Sequence, residues 1–195
     1  MPDNSTDLAA QFAALSPEPG PLDEPCPACL VASSRNCVDY PLDQRPREGS
    51  VHKRRHDTYL ARIAEWEERR LNFAATMTAL GSVTQERLDA VLDEYPALNA
   101  NGYGSPRGYD YDTVAGRERL RELLGEVRHC VAWLATQKWQ KRLSKRSASS
   151  YALKHAAERV GEVGYVCNGA LIAAALIVGV PIRLDDLNPR IGIAL

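Results

Sequence analysis

The chain has 195 residues, 45% of them hydrophobic and 25% charged, enough to bury one core with an appendage. Its formal net charge of −1 excludes a general electrostatic pull toward nucleic acid or acidic membranes, so any such affinity must come from local clustering. Its longest apolar run, residues 170–182, is interrupted by Gly179 and Pro181 and falls short of the roughly 20 residues a bilayer requires.

The first residues, Met-Pro-Asp-Asn-Ser-Thr-Asp, lack the basic start and apolar run of a secretory signal, and five cysteines is an odd number. Reduced thiols in a cytoplasmic setting are therefore expected, with no membrane association. Acidic residues Asp3, Asp7, Glu18, Asp23 and Glu24 dominate residues 1–24. A short amphipathic stretch, Leu8 to Leu15, runs into Ser16-Pro17-Glu18-Pro19-Gly20-Pro21, which stops any helix. This segment reads as a mobile tail and linker unless Phe12 and Leu15 dock.

Residues 25–57 hold the densest metal-ligand chemistry. Cys26 and Cys29 have the two-residue gap that lets two thiolates face one ion, and Cys37 follows after seven residues. His52 and His56 come next, at helical spacing that puts both on one face. Three thiolates and an imidazole suit a tetrahedral Zn²⁺. A redox Cys-x-x-Cys pair would open a helix in a βαβ setting, which this region lacks.

These residues resemble the small zinc-binding modules of actinobacterial and actinobacteriophage proteins, patterned Cys-Pro-x-Cys, seven residues, Cys, a basic loop and His-x-x-Arg. The matching positions are Cys26-Pro27-Ala28-Cys29, Cys37 and His52-Lys53-Arg54-Arg55, within residues 25–62. The resemblance favours His52 over His56 as fourth ligand and implies nucleic-acid binding, with Lys53, Arg54 and Arg55 beside the metal.

From residue 58 onward the periodicity predicts a helical domain. Thr58 to Leu80 reads as one long helix with Leu60, Ile63, Ala64, Leu71, Ala74 and Ala75 on its stripe, anchored by Trp66 and Phe73 and ended by Gly81. Charges from Glu65 to Arg70 read as a solvated face with local pairs. A second helix starts at Thr84 and stops before Pro96. Residues 98–112 break the pattern, and Gly102, Gly104 and Gly108 have the wrong spacing for a dinucleotide fingerprint. In that loop Tyr103, Arg107, Tyr109 and Tyr111 either stack on unpaired bases or pack back onto the helices.

A third helix, capped by Asp112 or Thr113, is expected to run through Val127, Cys130 and Leu134 and to continue into residues 138–146. Cys130 reads as a small buried hydrophobe. The continuation carries Lys138, Lys141, Arg142, Lys145 and Arg146 without an acidic residue. Such a run grips a phosphate backbone, aided by Trp139, or forms a solvated face.

The last region reads as helix, glycine turn, helix. Ser147 to Tyr151 supplies the first cap, Asn168 the second, and Gly179-Val180-Pro181 the stop. Its second helix, rich in alanine and isoleucine, has no side chain to meet base edges. The segment resembles an uncharacterised C-terminal stretch of phage and mobile-element proteins through Ser149, Ser150, Tyr151, Leu153, Lys154, His155, Glu158, Tyr165, Val166, Asn168, Gly169 and residues 172–175. That likeness implies no activity, but suggests that Tyr151, Lys154, His155, Glu158 and Asn168 form a polar surface. His155 and Glu158 could in principle do acid–base work or bind a metal, although a capping role suits them better. Residues 184–195 form a tail in which Ile191, Ile193 and Leu195 make an edge strand or pack on helices.

The expected architecture is mainly α: a helical domain with an N-terminal zinc knuckle and a C-terminal helix-turn-helix-like hairpin. The expected function is a non-enzymatic zinc protein of phage or mobile-element type that associates with nucleic acid. The alternative is a structural or protein-interaction module with a purely structural zinc, and a metal-assisted hydrolase built on His155 and Glu158 ranks third.

Overall fold

A computed structural model describes residues 4–20, 23, 38–39, 43–46, 53–81, 83–104, 113–160 and 164–194. Among these the chain is mainly helical: α1 (Asn4–Leu15), α2 (Lys53–Leu80), α3 (Gln85–Glu94), α4 (Thr113–Glu122), α5 (Leu124–Ala135), α6 (Ser150–Glu158) and α7 (Asn168–Val178). Three short antiparallel ladders accompany them: β1 (Val38–Asp39) with β2 (Asp43–Pro46), β3 (Leu98–Asn99) with β4 (Gly102–Tyr103), and β5 (Ile182–Arg183) with β6 (Arg190–Ile191). The proposed ligands Cys26, Cys29, Cys37 and His52 lie outside the described residues, as do Arg107, Tyr109 and Tyr111.

The chain divides into two units, residues 17–70 and residues 1–16 with 71–195. In the smaller unit, β1 and β2 pair with an irregularity between Val38 and Asp39, and Trp66 is buried on α2. Glu67 accepts a 2.8 Å ion pair from Arg70, one of the local surface pairs expected there. Leu60 and Leu71 are exposed, contrary to the expected stripe. Phe73, on the part of α2 that belongs to the larger unit, is fully buried, as a large ring gains much from leaving water.

The larger unit is built around α7. Leu171 to Ala175 are fully buried, as befits a helix that is apolar on every side. The side of α5 carrying Val127, Cys130, Val131 and Leu134 packs on it, and α3, α6 and the β3–β4 hairpin cover other sides. Gly179 closes α7 in the left-handed conformation at φ 83°, donating to the Ala175 carbonyl. Near the start of α7, Gly169 donates to the Ala100 carbonyl at 3.1 Å. A Cβ on Gly169 would stand 2.0 Å from the Asn99 carbonyl oxygen, so the β3–β4 hairpin can approach only a glycine.

Several expected boundaries move. Phe12 is fully buried with its ring centroid 5.5 Å from that of Phe73, so α1 docks through it. The irregular stretch after Pro96 opens with a hairpin, because Asn99 bridges its own turn: Oδ1 accepts from the Asn101 amide at 2.9 Å, and Nδ2 donates to the Ala97 and Gly104 carbonyls. The expected third helix is two, α4 and α5, broken at Leu123 (φ −96°, ψ 30°).

Asn168 is not the cap of α7. The Cys167 thiol accepts from the Ala170 amide at 3.3 Å, while the Asn168 carboxamide Nδ2 donates to the Asn101 and Leu187 carbonyls and to Asn188 Oδ1. Residues 159–167 join α6 to α7, longer than the 3–4-residue turn of a helix-turn-helix, and the burial of α7 keeps it out of any groove.

Candidate nucleic-acid interface

The basic run does not continue α5. The helix ends at Ala135 because its last carbonyls are taken locally: the Thr136 amide and hydroxyl both donate to Trp133 O, the Gln137 amide to Leu134 O, and the Trp139 indole Nε1 to Leu134 O at 2.8 Å. Trp139 is half-buried against the core, and its indole N–H is committed to that cap.

Residues 136–149 form a loop held at both ends by the C-terminal strand segment. Trp139 bridges Ile193, and the Gln140 amide donates to Gly192 O at 2.7 Å. At the other end the Ala148 amide donates to Ile193 O, the Ile191 amide to Ala148 O, and Ser149 bridges Arg190. Between these anchors serine side chains stand in for a ladder. The Ser147 hydroxyl donates to Gln140 Oε1 at 2.7 Å and accepts from the Ser144 amide at 2.8 Å, while the Ser144 hydroxyl accepts from the Arg146 amide at 3.1 Å. A shaped loop results, with Lys138, Lys141, Arg142, Lys145 and Arg146 all exposed.

The same pairing brings in two arginines that stand alone in the sequence. Arg183 and Arg190 are directly opposite each other on the β5–β6 ladder. Like charges in that position repel, and each is only partly relieved. Arg183 Nε meets Asp185 Oδ2 at 2.7 Å with both side chains more than half exposed, and Arg190 Nη1 donates to Ser147 O at 2.9 Å. Together with Leu143, Ser144 and Lys145 they line a hollow of about 500 Å³. The two arginines also line a second hollow of about 560 Å³, completed by Ser147, Ala148, Ser149, Asp185, Asp186 and Asn188. No sequence signal marks Arg183 or Arg190, since their neighbours in space come from residues some forty positions away.

The remaining candidate residues are dispersed. Lys53, Arg54 and Arg55 fall in the first turn of α2, in the smaller unit, and His56 is exposed there with its ring 6.3 Å from that of Tyr59. Among the described residues no three His, Cys, Asp or Glu side chains converge as a metal site.

The expected polar surface on α6 is instead a buried ion pair with an aromatic rim. Lys154, 4% exposed, meets Glu158 Oε1 at 2.9 Å and lies 5.3 Å and 4.6 Å from the ring centroids of Tyr151 and Tyr165. His155 Nδ1 contacts the other carboxylate oxygen of Glu158 at 2.5 Å, and the Val166 amide donates to Oε1 at 3.1 Å. Burial pushes the Glu158 carboxyl up, but the hydrogen bonds from Lys154, Val166 and His155 outweigh it and bring the group down to about 2. With both oxygens engaged, Glu158 joins α6 to the segment that leads into α7. Asn168 lies apart from this cluster, on the β3–β4 side.

Cys130 and Cys167 are both buried. Desolvation pushes the Cys130 thiol well up and the Cys167 thiol up to about 12, so neither is a nucleophile or a ready metal ligand. Among the described residues no helix is long and apolar enough to cross a membrane. No protein-family model matches this chain, and no significant match was found among curated proteins or solved structures.

Proposed function

We propose that this protein associates with nucleic acid through the loop of residues 138–149 and the arginine pair beside it. The observation that carries the reading is the opposition of Arg183 and Arg190 on one ladder next to Lys145. Three cations around one hollow repel one another, Asp185 offsets Arg183 alone, and a phosphate group would supply the further anion. Lys141, Arg142 and Arg146, exposed on the same loop, extend the binding surface along a backbone.

The test is fluorescence anisotropy with labelled single strands across a salt series. Lys141→Gln, Arg142→Gln and Lys145→Gln combined are expected to weaken binding at least tenfold and to flatten the salt slope by about 0.7 for each phosphate no longer neutralised. An unchanged slope in that variant would remove the mechanism.

Zn²⁺ remains part of the proposal, held by Cys26, Cys29, Cys37 and His52, with His56 the alternative fourth ligand. Their spacing supports it, as three thiolates and an imidazole are a common structural set. One equivalent of zinc is expected by elemental analysis, falling below about 0.2 equivalents in Cys26→Ser/Cys29→Ser, on the order expected when two of four ligands go. Chelation should raise amide exchange in residues 25–60 and leave that of α5 and α7 unchanged, whereas loss of α7 protection would contradict a confined role.

A second reading, a protein-interaction module, is favoured by one feature. Tyr151 and Tyr165 expose more than half their surface on either side of Lys154, and exposed tyrosine pairs are common at protein interfaces. Stoichiometric capture of a protein that is lost with Tyr151→Ala/Tyr165→Ala, and indifference to nucleic acid, would establish that reading instead.

A further inference from the structure

We propose that the two hollows lined by Arg183 and Arg190 together take one unpaired ribonucleotide of a single-stranded RNA, phosphate in one and sugar in the other. This rests on the nucleic-acid reading above and adds which nucleic acid it is.

The two hollows share both arginines but differ in charge. The first has Lys145 beside them and no acidic residue in its described lining. The second has Asp185 and Asp186, with Ser147, Ser149 and Asn188. A phosphate is therefore favoured in the first, lined by three cations, over the second, where two aspartates offset the same two arginines. Along a strand the sugar lies only a few bonds from its phosphate, so it is the group that reaches the second hollow. A ribose presents hydroxyl donors there, and a carboxylate accepts them through charge-assisted hydrogen bonds. A deoxyribose lacks the 2′-hydroxyl, the group by which a protein tells RNA from DNA at a given position.

Acceptor capacity is present. Asp186 Oδ1 accepts the Leu187 amide at 2.6 Å, which orients the carboxylate from below and leaves its second oxygen. Asp185 spends one oxygen on Arg183. Each hollow has the volume of a small-molecule site, enough for part of a nucleotide. An unpaired strand has the backbone freedom to set a sugar and its phosphate into neighbouring hollows, whereas a duplex fixes both along a regular backbone.

The experiment compares labelled twelve-nucleotide RNA, DNA of the same sequence and 2′-O-methyl RNA by anisotropy at one salt concentration, with the wild-type chain and Asp186→Asn. The substitution keeps an Oδ1 to accept the Leu187 amide, and circular dichroism checks that the fold is retained. The wild type is expected to bind RNA about tenfold more tightly than DNA or the methylated strand, the worth of one charge-assisted hydrogen bond. Asp186→Asn should bring the three within about threefold of one another while leaving DNA affinity equal or higher, because a charge that repels phosphate is gone.

Equal wild-type affinity for RNA and DNA would overturn the ribose assignment and leave phosphate binding standing. A preference that survives in Asp186→Asn would overturn the placement of the sugar. Absence of binding to every strand at low salt would overturn both this inference and the reading beneath it.

Discussion

Gly169→Ala is expected to lower the melting temperature by about 10 °C, a loss of about 3 kcal/mol or more for a chain of this size. The new Cβ would lie 2.0 Å from Asn99 O, 2.8 Å from Asn99 C and 3.0 Å from Ala100 Cα. All three are backbone atoms, so no rotamer change relieves the clash. Either the β3–β4 hairpin lifts off the start of α7 or the Gly169–Ala100 hydrogen bond breaks, and both separate a buried hairpin from the central helix. Thermal unfolding followed by circular dichroism reads the effect. Gly125→Ala is the control, since a Cβ there meets nothing within 4 Å and the site is helical; it should be neutral or slightly stabilising. A Gly169→Ala melting temperature equal to that of Gly125→Ala would show that the hairpin does not need this approach.

Glu158→Ala should cost about 3–5 kcal/mol, because it strands the ammonium of Lys154 in the protein interior. Lys154→Met/Glu158→Leu, which removes both charges and keeps the volume, is expected to recover most of that loss. Recovery distinguishes a buried charge without its partner from a simple packing defect.

The same carboxylate makes stability depend on acid. Its folded value, about 2, lies below the ordinary 4.5, so the folded state holds the proton less readily than the unfolded one. The contribution is therefore complete above about pH 4.5 and disappears as pH falls toward 2, amounting to about 3 kcal/mol across that window. Urea unfolding of wild type and Glu158→Gln at about pH 7 and about pH 2.5, on either side of that window, should show a gap that narrows in acid. A gap of constant size would mean that the Glu158 charge is not what the fold uses.

Much of the helical framework was legible because it rests on short-range chemistry. Thr84 caps α3 through the Arg87 amide, Ser149 caps α6 through the Ala152 amide, and Gly179 ends α7, each within four residues of its partner. The burial of α7 was equally legible, since a stretch with no polar face has nowhere to go but inside. Where local and distant partners competed, the distant ones won. Asn168 is a good cap by type, but its carboxamide is drawn to groups 67 and 19 residues away, and the Cys167 thiol takes the cap. Lys154 and His155 reach Glu158 within about one helical turn, while the Val166 amide and carbonyl that complete the cluster lie eight and twelve residues from their partners.

The candidate site divides along the same line. The sequence alone determined that the chain is mainly helical, that α7 is interior, and that residues 138–146 concentrate five cations without an acid. Composition and spacing suffice for such statements, because helix periodicity and charge density are properties of neighbours along the chain. Tertiary structure decided that those cations ride on a loop and not a helix, that the Trp139 indole N–H is spent on a cap, and that Arg183 and Arg190 stand opposed beside Lys145. The loop is set by backbone hydrogen bonds between residues 140–150 and 189–193, closed across some forty or more intervening positions, and the arginine pair by the β5–β6 ladder. The free energy of such pairings comes from the packed core on which both segments lie, a quantity no local window of sequence contains.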